Sequence, residues 1–334
     1  MTVPTGSESP PSATLGGFRD ARLYAREALS ERSYGRALLA AALADERIVC
    51  LGADLSQPTE SYLFRDRIPE RYVNLGLQEA NMIGVAAGMA RCGDIAFAHS
   101  FCVFVTRRVY DQVAMQAAYP KLNVKLAGFI PGLTTSLGVS HQATDDIALM
   151  RALPNMVVIE PAGPEQVGAA VHAALGYDGP VYLRLQMASQ DDPSIPLMPL
   201  ELGKGMVLRQ GADAAILACG MMVGEAMKAA DRLAAQGVSV TVANMASLKP
   251  FDREMTADLA RRHPVLITAE NHSVIGGLGS AVAEVLALGG LSPRFAMVGV
   301  QDVWAQSGTT PFLMERYGLT AGHIEAQVLA LRAA

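Results

Sequence analysis

Residues 74–99 read NLGLQEANMIGVAAGMARCGDIAFAH, and this stretch decides the fold class. Its first part, Glu79–Ala90, is an apolar run rich in Ala and Gly, and it predicts a buried helix with one acidic residue at its mouth. Its second part, Ile95–His99, predicts a short strand that is covered on both faces. A helix followed at once by such a strand is typical of an α/β protein with a parallel sheet.

The same alternation runs through the first half of the chain. Short apolar runs predict strands at 47–51, 95–99, 124–129, 156–159 and 181–185, and the runs between them predict helices at 35–44, 79–90, 106–118, 145–153 and 164–175. Ligands of parallel sheets gather at the carboxyl ends of the strands. We therefore expect the chemistry in the loops that follow Leu51, His99, Phe129 and Leu185.

The chain divides into two predicted domains, residues 31–187 and residues 206–334. Between them, residues 188–205 are rich in Pro, Ser and Met and predict a linker. The second domain repeats the alternation and ends in a helical tail from Thr310, so the expected fold is two parallel or mostly parallel sheet domains. Residues 1–20 are rich in Ser, Pro, Gly and Thr and predict a disordered tail.

Composition excludes several classes of function. The 334 residues are 51% apolar, which is enough for two hydrophobic cores. The formal net charge is −5, whereas a nucleic-acid-binding surface is typically basic. No run reaches the roughly 18 apolar residues of a membrane span. The four cysteines form no C-x-x-C pair, so we predict reduced core thiols in a cytoplasmic protein.

Glu79 and the small residues after it each have two explanations. A carboxylate at a helix N-terminus complements the helix dipole, which by itself would account for Glu79. Gly84 and Gly88 lie among alanines on the same helix and favour a tight subunit interface, although such helices also pack inside monomers. The residues alone leave these alternatives open.

Five segments together carry a resemblance to a known family. Residues 74–90 resemble the "GxxExxxxGxAxG" region of thiamine-diphosphate enzymes, in the pyrimidine-binding domain of transketolases. Four more segments resemble transketolase motifs in the same order: LGADL at 51–55, SFCVF at 100–104, GVSHQATDDIALMRALPN at 138–155 and ENHSVIGGLGS at 270–280. From residue 31 to its end, the chain resembles the C-terminal (beta) subunit of a split transketolase.

The resemblance implies catalytic roles for Glu79 and His141. In the family, the glutamate meets N1′ of the aminopyrimidine of thiamine diphosphate and helps to activate the cofactor, which does the carbon chemistry itself. An apolar surrounding that raises the pKa of the glutamate would help it to share a proton. The matching histidine faces the donor sugar and donates a hydrogen bond where negative charge develops on oxygen.

The resemblance also implies further cofactor-binding residues. Phe101 and Phe104 are spaced i, i+3 and would form a wall against the aminopyrimidine, with a core helical pair as the alternative. Asp54 matches the family's "xSADL" motif. Arg107 stands with Arg108 where the family often has a third aromatic residue.

Substrate contacts are predicted from the charge of sugar phosphates, which planar guanidinium groups bind well. Arg32 and Arg184 lie near the family's phosphate-binding arginine positions. Ser56 adds a hydroxyl in the loop after Asp54, and His99 is a further candidate because it ends a predicted strand.

The chain departs from ordinary transketolases in the loop before His141. The family has a Thr-His pair after the third strand and a Glu-Asp pair before the histidine, both of which bind substrate. Here Phe129 or Ile130 stands in place of the first histidine, and Ser136-Leu137 stands in place of the acidic pair. Because lost hydrogen-bonding groups change discrimination strongly, we predict a branched, deoxy or otherwise modified sugar as substrate.

A second departure concerns the metal. Thiamine-diphosphate enzymes bind Mg²⁺ through a Gly-Asp-Gly motif, and this chain has Gly93-Asp94-Ile95 with no Gly-Asp-Gly anywhere. The resemblance therefore implies an alpha subunit that carries this motif and the metal ligands, in an α2β2 assembly. The alternatives are the beta subunit of a 2-oxoacid dehydrogenase, a fragment of a 1-deoxyxylulose-phosphate synthase and a non-catalytic assembly subunit.

Overall fold

The computed structural model describes residues 33–187 and 199–333. The predicted tail at residues 1–20, Arg32 and most of the predicted linker lie outside these ranges. Two mostly parallel sheets account for the described strands, one of seven strands and one of five. The predicted fold class is confirmed.

The first sheet has the order β10-β5-β6-β4-β3-β1-β2. Its members are β1 (Ile48–Gly52), β2 (Tyr72–Asn74), β3 (Ile95–Phe101), β4 (Val124–Phe129), β5 (Val157–Ile159), β6 (Val181–Leu185) and β10 (Ser247–Lys249). The helices that cover it include α1 (Ser33–Ala44), α2 (Tyr62–Arg67), α3 (Glu79–Arg91), α4 (Cys102–Val105), α6 (Asp146–Ala152) and α7 (Pro164–Leu175). Strands β1, β3, β4 and β6 run parallel, so their carboxyl ends meet at one edge.

The second sheet has the order β12-β11-β8-β9-β7. Its strands are β7 (Met206–Arg209), β8 (Ala214–Ala218), β9 (Val240–Asn244), β11 (Val265–Ser273) and β12 (Arg294–Val300). Its helices are α8 (Met222–Ala234), α9 (Arg253–Arg262), α10 (Leu278–Gly289), α11 (Thr310–Arg316) and α12 (Ala321–Ala333). Apolar side chains of β8, β9 and β11 pack against α8 and α12 to form its core.

Strand β10 joins the two halves of the chain. Its residues follow the C-terminal-domain strand β9, yet it pairs antiparallel with β5 of the first sheet. Backbone contact continues beside it, where the Glu160 N–H donates to the Ala246 carbonyl at 2.8 Å. The two domains therefore share a sheet edge, which the chain order alone does not indicate.

The predicted helix at 106–118 (α5) is irregular. It contains a 3-10 turn at Arg107–Val109, one α-turn at Tyr110–Gln112 and a π-helical segment at Val113–Ala118. Thr106 lies outside helical geometry, with φ −118° and ψ −87°, and its hydroxyl donates to the Cys102 carbonyl at 2.6 Å. A β-branched residue that closes the preceding helix with its own side chain thus interrupts the predicted periodicity.

The cysteines are unpaired, but they do not all lie in the core. Cys50, Cys102 and Cys219 are buried thiols, whereas Cys92 is exposed at the end of α3. The prediction of core thiols is therefore wrong for Cys92. Among the described helices, none is long and apolar enough to cross a membrane.

Candidate active site

Glu79 lies at the carboxyl edge of the first sheet, where α3 begins. Strand β2 pairs with β1 and delivers the chain to this edge, so the first helical residue lies beside the ends of β1 and β3. Glu79 is only 2% exposed. The Ser100 hydroxyl donates to its Oε1 at 3.2 Å, and the Arg108 guanidinium donates to its Oε2 at 2.9 Å.

Three rings lie together at this edge. Strand β3 ends at Phe101 and the short helix α4 follows, which brings Phe101 and Phe104 to one side with ring centroids 5.9 Å apart. The His141 ring stands 5.1 Å from the Phe104 ring and 6.2 Å from the Phe101 ring. The three residues, which were predicted from two separate motifs, therefore form one aromatic surface.

His141 is partly buried in the loop between β4 and α6. Its Nδ1 lies 2.9 Å from the Ser140 hydroxyl. Partial burial lowers the pKa of His141, and the positive charge of Arg108 lowers it further. Both effects favour the neutral imidazole, which can donate one hydrogen bond and accept another.

Arg108, for which the sequence predicts no role, also lies at this edge. Its Cζ lies 3.6 Å from the centroid of the Phe104 ring while Nη1 pairs with Glu79. The side chain is 48% exposed, so it covers the buried carboxylate from the solvent side. Two adjacent arginines in the sequence indicated a positive charge near the aromatic motif, but the sequence does not show which of the two faces Glu79.

Arg107, the predicted cofactor ligand, points elsewhere. Its Nη1 donates to Asp145 at 3.2 Å and its Nη2 donates to the Val139 carbonyl at 3.3 Å. Its Cζ also lies 5.6 Å from the Trp304 ring of the C-terminal domain. In this structure Arg107 braces the loop that carries His141.

Asp54 and Ser56 lie in the loop after β1. Asp54 is exposed and has φ 59°, and its N–H donates to the Asn74 side chain at 3.1 Å. The Ser56 hydroxyl accepts from Arg65 at 2.9 Å. Their predicted contacts with cofactor and substrate stay predictions.

His99 does not fit its predicted contact with substrate, because it is completely buried. Its Nδ1 lies 2.9 Å from the Leu51 carbonyl, so Nδ1 carries the proton, and the Tyr34 hydroxyl lies 2.7 Å from Nε2. Burial lowers the pKa of His99 to about 4, which keeps it neutral. Its side chain joins β1, β3 and α1 beneath the site.

Arg184 does not fit its predicted contact with substrate phosphate either. It is fully buried, with Nε 2.7 Å from Asp146 and Nη1 paired with Glu160. Its Nη2 donates to the carbonyls of Ala143 and Asn271, so all three nitrogens are engaged inside the protein. Its position on β6 was predicted well, but the side chain points into the domain interface.

The donor set fits an aromatic heterocycle with a protonatable ring nitrogen. A buried carboxylate can share a proton with such a nitrogen, and the two phenylalanine rings offer it an apolar surface. Among the described residues, no group of three or more His, Cys, Asp or Glu side chains is placed to hold a metal ion. The expectation that the Mg²⁺ ligands lie on a partner chain stays a prediction.

The fold and this edge define the class of two-domain α/β chains found in thiamine-diphosphate enzymes. Residues 29–189 match the domain family "Transketolase, pyrimidine binding domain". Residues 203–324 match the domain family "Transketolase, C-terminal domain". The chain therefore belongs to the transketolase family.

Individual relatives sharpen this placement. The chain is 44% identical to a 6-deoxy-6-sulfo-D-fructose transketolase subunit of a Clostridium species, over 87% of this chain and 91% of that protein. A solved split-gene transketolase, an inactive beta4 tetramer, superposes with a TM-score of 0.84 at 44% identity over 91% of this chain and 98% of that one. The 1-deoxy-D-xylulose-5-phosphate synthase of Syntrophotalea carbinolica is 35% identical over 88% of this chain and 47% of that protein.

Proposed function

We propose that this chain is the beta subunit of a two-chain transketolase, which moves a two-carbon ketol unit between sugars only when an alpha subunit is bound. The observation that carries the proposal is the convergence of Glu79 with the aromatic surface of Phe101, Phe104 and His141. A carboxylate that is 2% exposed beside an aromatic surface is more than complementation of the helix dipole requires.

Each residue at this edge has a distinct part in the proposal. Thiamine diphosphate, when bound, supplies the chemistry that breaks and forms the carbon–carbon bond beside a carbonyl. Glu79 holds a proton at a ring nitrogen while Ser100 keeps Oε1 oriented. Arg108 releases Oε2 so that this oxygen is available. His141 donates a hydrogen bond to the substrate oxygen on which negative charge develops.

The substrate proposal is a sugar that differs from the ordinary pentose phosphates. Phe129 or Ile130 stands at the position where the family carries a substrate-binding histidine. Both are buried, and the Phe129 ring lies 5.3 Å edge-on to Tyr34. At the position of the acidic pair, Leu137 is exposed on the His141 loop. These apolar replacements support a modified sugar as substrate. The sulfonated deoxy sugar in the name of the Clostridium relative supports the same proposal.

The assembly proposal is an α2β2 heterotetramer with a shared site. The chain lacks Gly-Asp-Gly, so the alpha subunit is proposed to hold the diphosphate and its Mg²⁺. The split-gene relative that is an inactive tetramer of beta chains supports this requirement for a partner.

The test is reconstitution with an alpha chain that carries a Gly-Asp-Gly motif. The pair, thiamine diphosphate and Mg²⁺ are assayed for ketol transfer from 6-deoxy-6-sulfo-D-fructose and from xylulose 5-phosphate. Decarboxylation of a 2-oxoacid would instead favour the dehydrogenase, and joining pyruvate to glyceraldehyde 3-phosphate would favour the synthase. Full activity of a Glu79→Gln pair would support an assembly role for this chain. Equal efficiency with xylulose 5-phosphate would remove the substrate proposal.

A further inference from the structure

The loop that carries His141 is attached to the C-terminal domain. Beside the histidine, the Gln142 side chain is 2% exposed and donates from Nε2 to the Gln306 carbonyl at 3.0 Å. Two residues further, the Thr144 carbonyl accepts from the Ser273 N–H at 2.9 Å. Both partners belong to the C-terminal domain, so the loop bridges from one domain to the other.

A second layer of contacts lies under this loop. The Ala143 carbonyl accepts from Arg184 Nη2 and from the Gly132 N–H, each at 3.0 Å. The same Arg184 nitrogen donates to the Asn271 carbonyl at 2.9 Å, and the Asn271 side chain accepts from the Leu133 N–H. The buried guanidinium therefore ties β6, the His141 loop and β11 together.

Space is as restricted as hydrogen bonding. Gly138 has φ +77°, and a Cβ placed on it would lie 2.5 Å from the Ser307 hydroxyl. A side chain at this position would both strain the backbone and push the loop away from the C-terminal domain. The loop is thus held at its start by packing against Ser307 and beyond the histidine by the Gln142 amide.

We infer that Gln142 is a positioning residue for the proposed reaction, because its amide fixes the His141 loop on the C-terminal domain. This inference rests on the proposed function for the role of His141. The C-terminal domain would then contribute to catalysis by holding the His141 loop, although none of its own side chains is placed at the reacting atoms. A histidine held from the next residue by a buried hydrogen bond loses little freedom when substrate binds.

The test is a double-mutant cycle in the reconstituted pair with its cofactor. Gln142→Met keeps the volume of the side chain and removes the donor to Gln306. We expect kcat/KM for the donor sugar to fall about 10-fold to 100-fold, because a displacement of about 1 Å has effects of this size. In a His141→Ala background, the same change should reduce the residual rate by less than about twofold, since a residue that acts through His141 is not additive with it.

Two outcomes would overturn the inference. Equal losses in both backgrounds would mean that Gln142 acts independently of His141, as a purely structural residue would. An unchanged kcat/KM would mean that the amide does not position the loop. Gln236→Met, in the exposed turn after α8, is the matched control and should leave both backgrounds unaffected.

Two additions separate this inference from the proposed function. If the unaltered pair transfers no ketol unit, the proposed function fails, but NMR titration of His141 still reports on the position of the loop. Gln142→Met should raise the pKa of His141, because displacement of the loop decreases the burial of the imidazole. An unchanged pKa would contradict the inference. If Gln142→Met does not assemble, Gly138→Ala displaces the same loop and enters the same cycle.

Discussion

Arg108 and Glu79 form an ion pair in which Nη1 and Oε2 are 2.9 Å apart, and the same guanidinium lies 3.6 Å from the centroid of the Phe104 ring. One cation therefore covers both the carboxylate and the aromatic face that we assign to the cofactor. Because Glu79 is buried and Arg108 is half exposed, the arginine is the partner that can move away. The same positive charge also acts on His141.

The first prediction concerns the charge on Arg108. Its positive charge contributes to lowering the pKa of His141, together with partial burial. Arg108→Met should therefore raise the pKa of His141, as measured by NMR titration of the imidazole in the isolated chain. Arg91→Met removes an equal charge at the far end of α3 and should leave that pKa unchanged. An unchanged or lower pKa in the Arg108 variant, or equal rises in both variants, would contradict this effect of the Arg108 charge on His141.

The second prediction concerns the Glu79 carboxylate. Glu79→Gln keeps the shape of the side chain and removes its ability to hold a proton at a ring nitrogen. We expect turnover of the reconstituted pair to fall by about 10²- to 10⁴-fold, the range for loss of a general acid–base group. Glu70→Gln, on the exposed 3-10 turn before β2, should keep full turnover. Retained turnover in the Glu79 variant would exclude the catalytic role.

The sequence predicted the elements better than it predicted the directions of the side chains. Apolar runs located β3 and α3, and motif order placed Glu79, Phe101 and His141 at one edge. Arg184 was expected to bind substrate phosphate because it lies near the family's phosphate-binding arginine positions. The C-terminal domain covers that face, and its packing is a long-range property that local sequence does not encode.

Two other features were beyond sequence reasoning for physical reasons. Strand β10 has only three residues, including Lys249, and its pairing with β5 depends on how the domains meet. Arg107 and Arg108 are adjacent and identical in chemistry, so only the 3-10 turn decides which of them reaches Glu79. Both features depend on the tertiary structure, which the secondary-structure propensities of the residues do not determine.

The third prediction tests the structural role of Arg184. Its guanidinium pairs with two buried carboxylates, Asp146 and Glu160. Removing one partner of a buried ion network leaves unpaired charge, so Arg184→Met should lower the free energy of unfolding by about 3–5 kcal/mol. Arg47→Met removes an arginine from a surface pair with Asp45 and should have little effect. Urea denaturation measures both, and an Arg184 variant as stable as wild type would contradict the assignment.

The fourth prediction concerns pH and Lys125. This buried lysine donates to the carbonyls of Tyr177 and Gly179, and burial lowers its pKa from 10.5 to about 7. Between pH 7 and pH 10 the unfolded chain binds this proton and the folded chain does not. Stability from this group therefore rises with pH across that window, by at most about 1.4 kcal/mol per pH unit, and is constant below it.

Comparison of wild type with Lys125→Met isolates this contribution. The free energy of unfolding of the variant should rise less steeply between pH 7 and pH 9, whereas exposed Lys228→Met should follow wild type. Parallel curves for wild type and the Lys125 variant would show that Lys125 keeps its ordinary pKa in the folded protein.

The central claim is that this chain contributes half of a shared ketol-transfer site. The most direct measurement is the rate of two-carbon transfer from a ketose donor by this chain alone, by the Gly-Asp-Gly chain alone and by the two mixed, each with thiamine diphosphate and Mg²⁺. We predict activity in the mixture only, and loss of that activity when the mixture contains Glu79→Gln. Transfer by this chain alone, or a mixture whose activity is unaffected by Glu79→Gln, would contradict the claim.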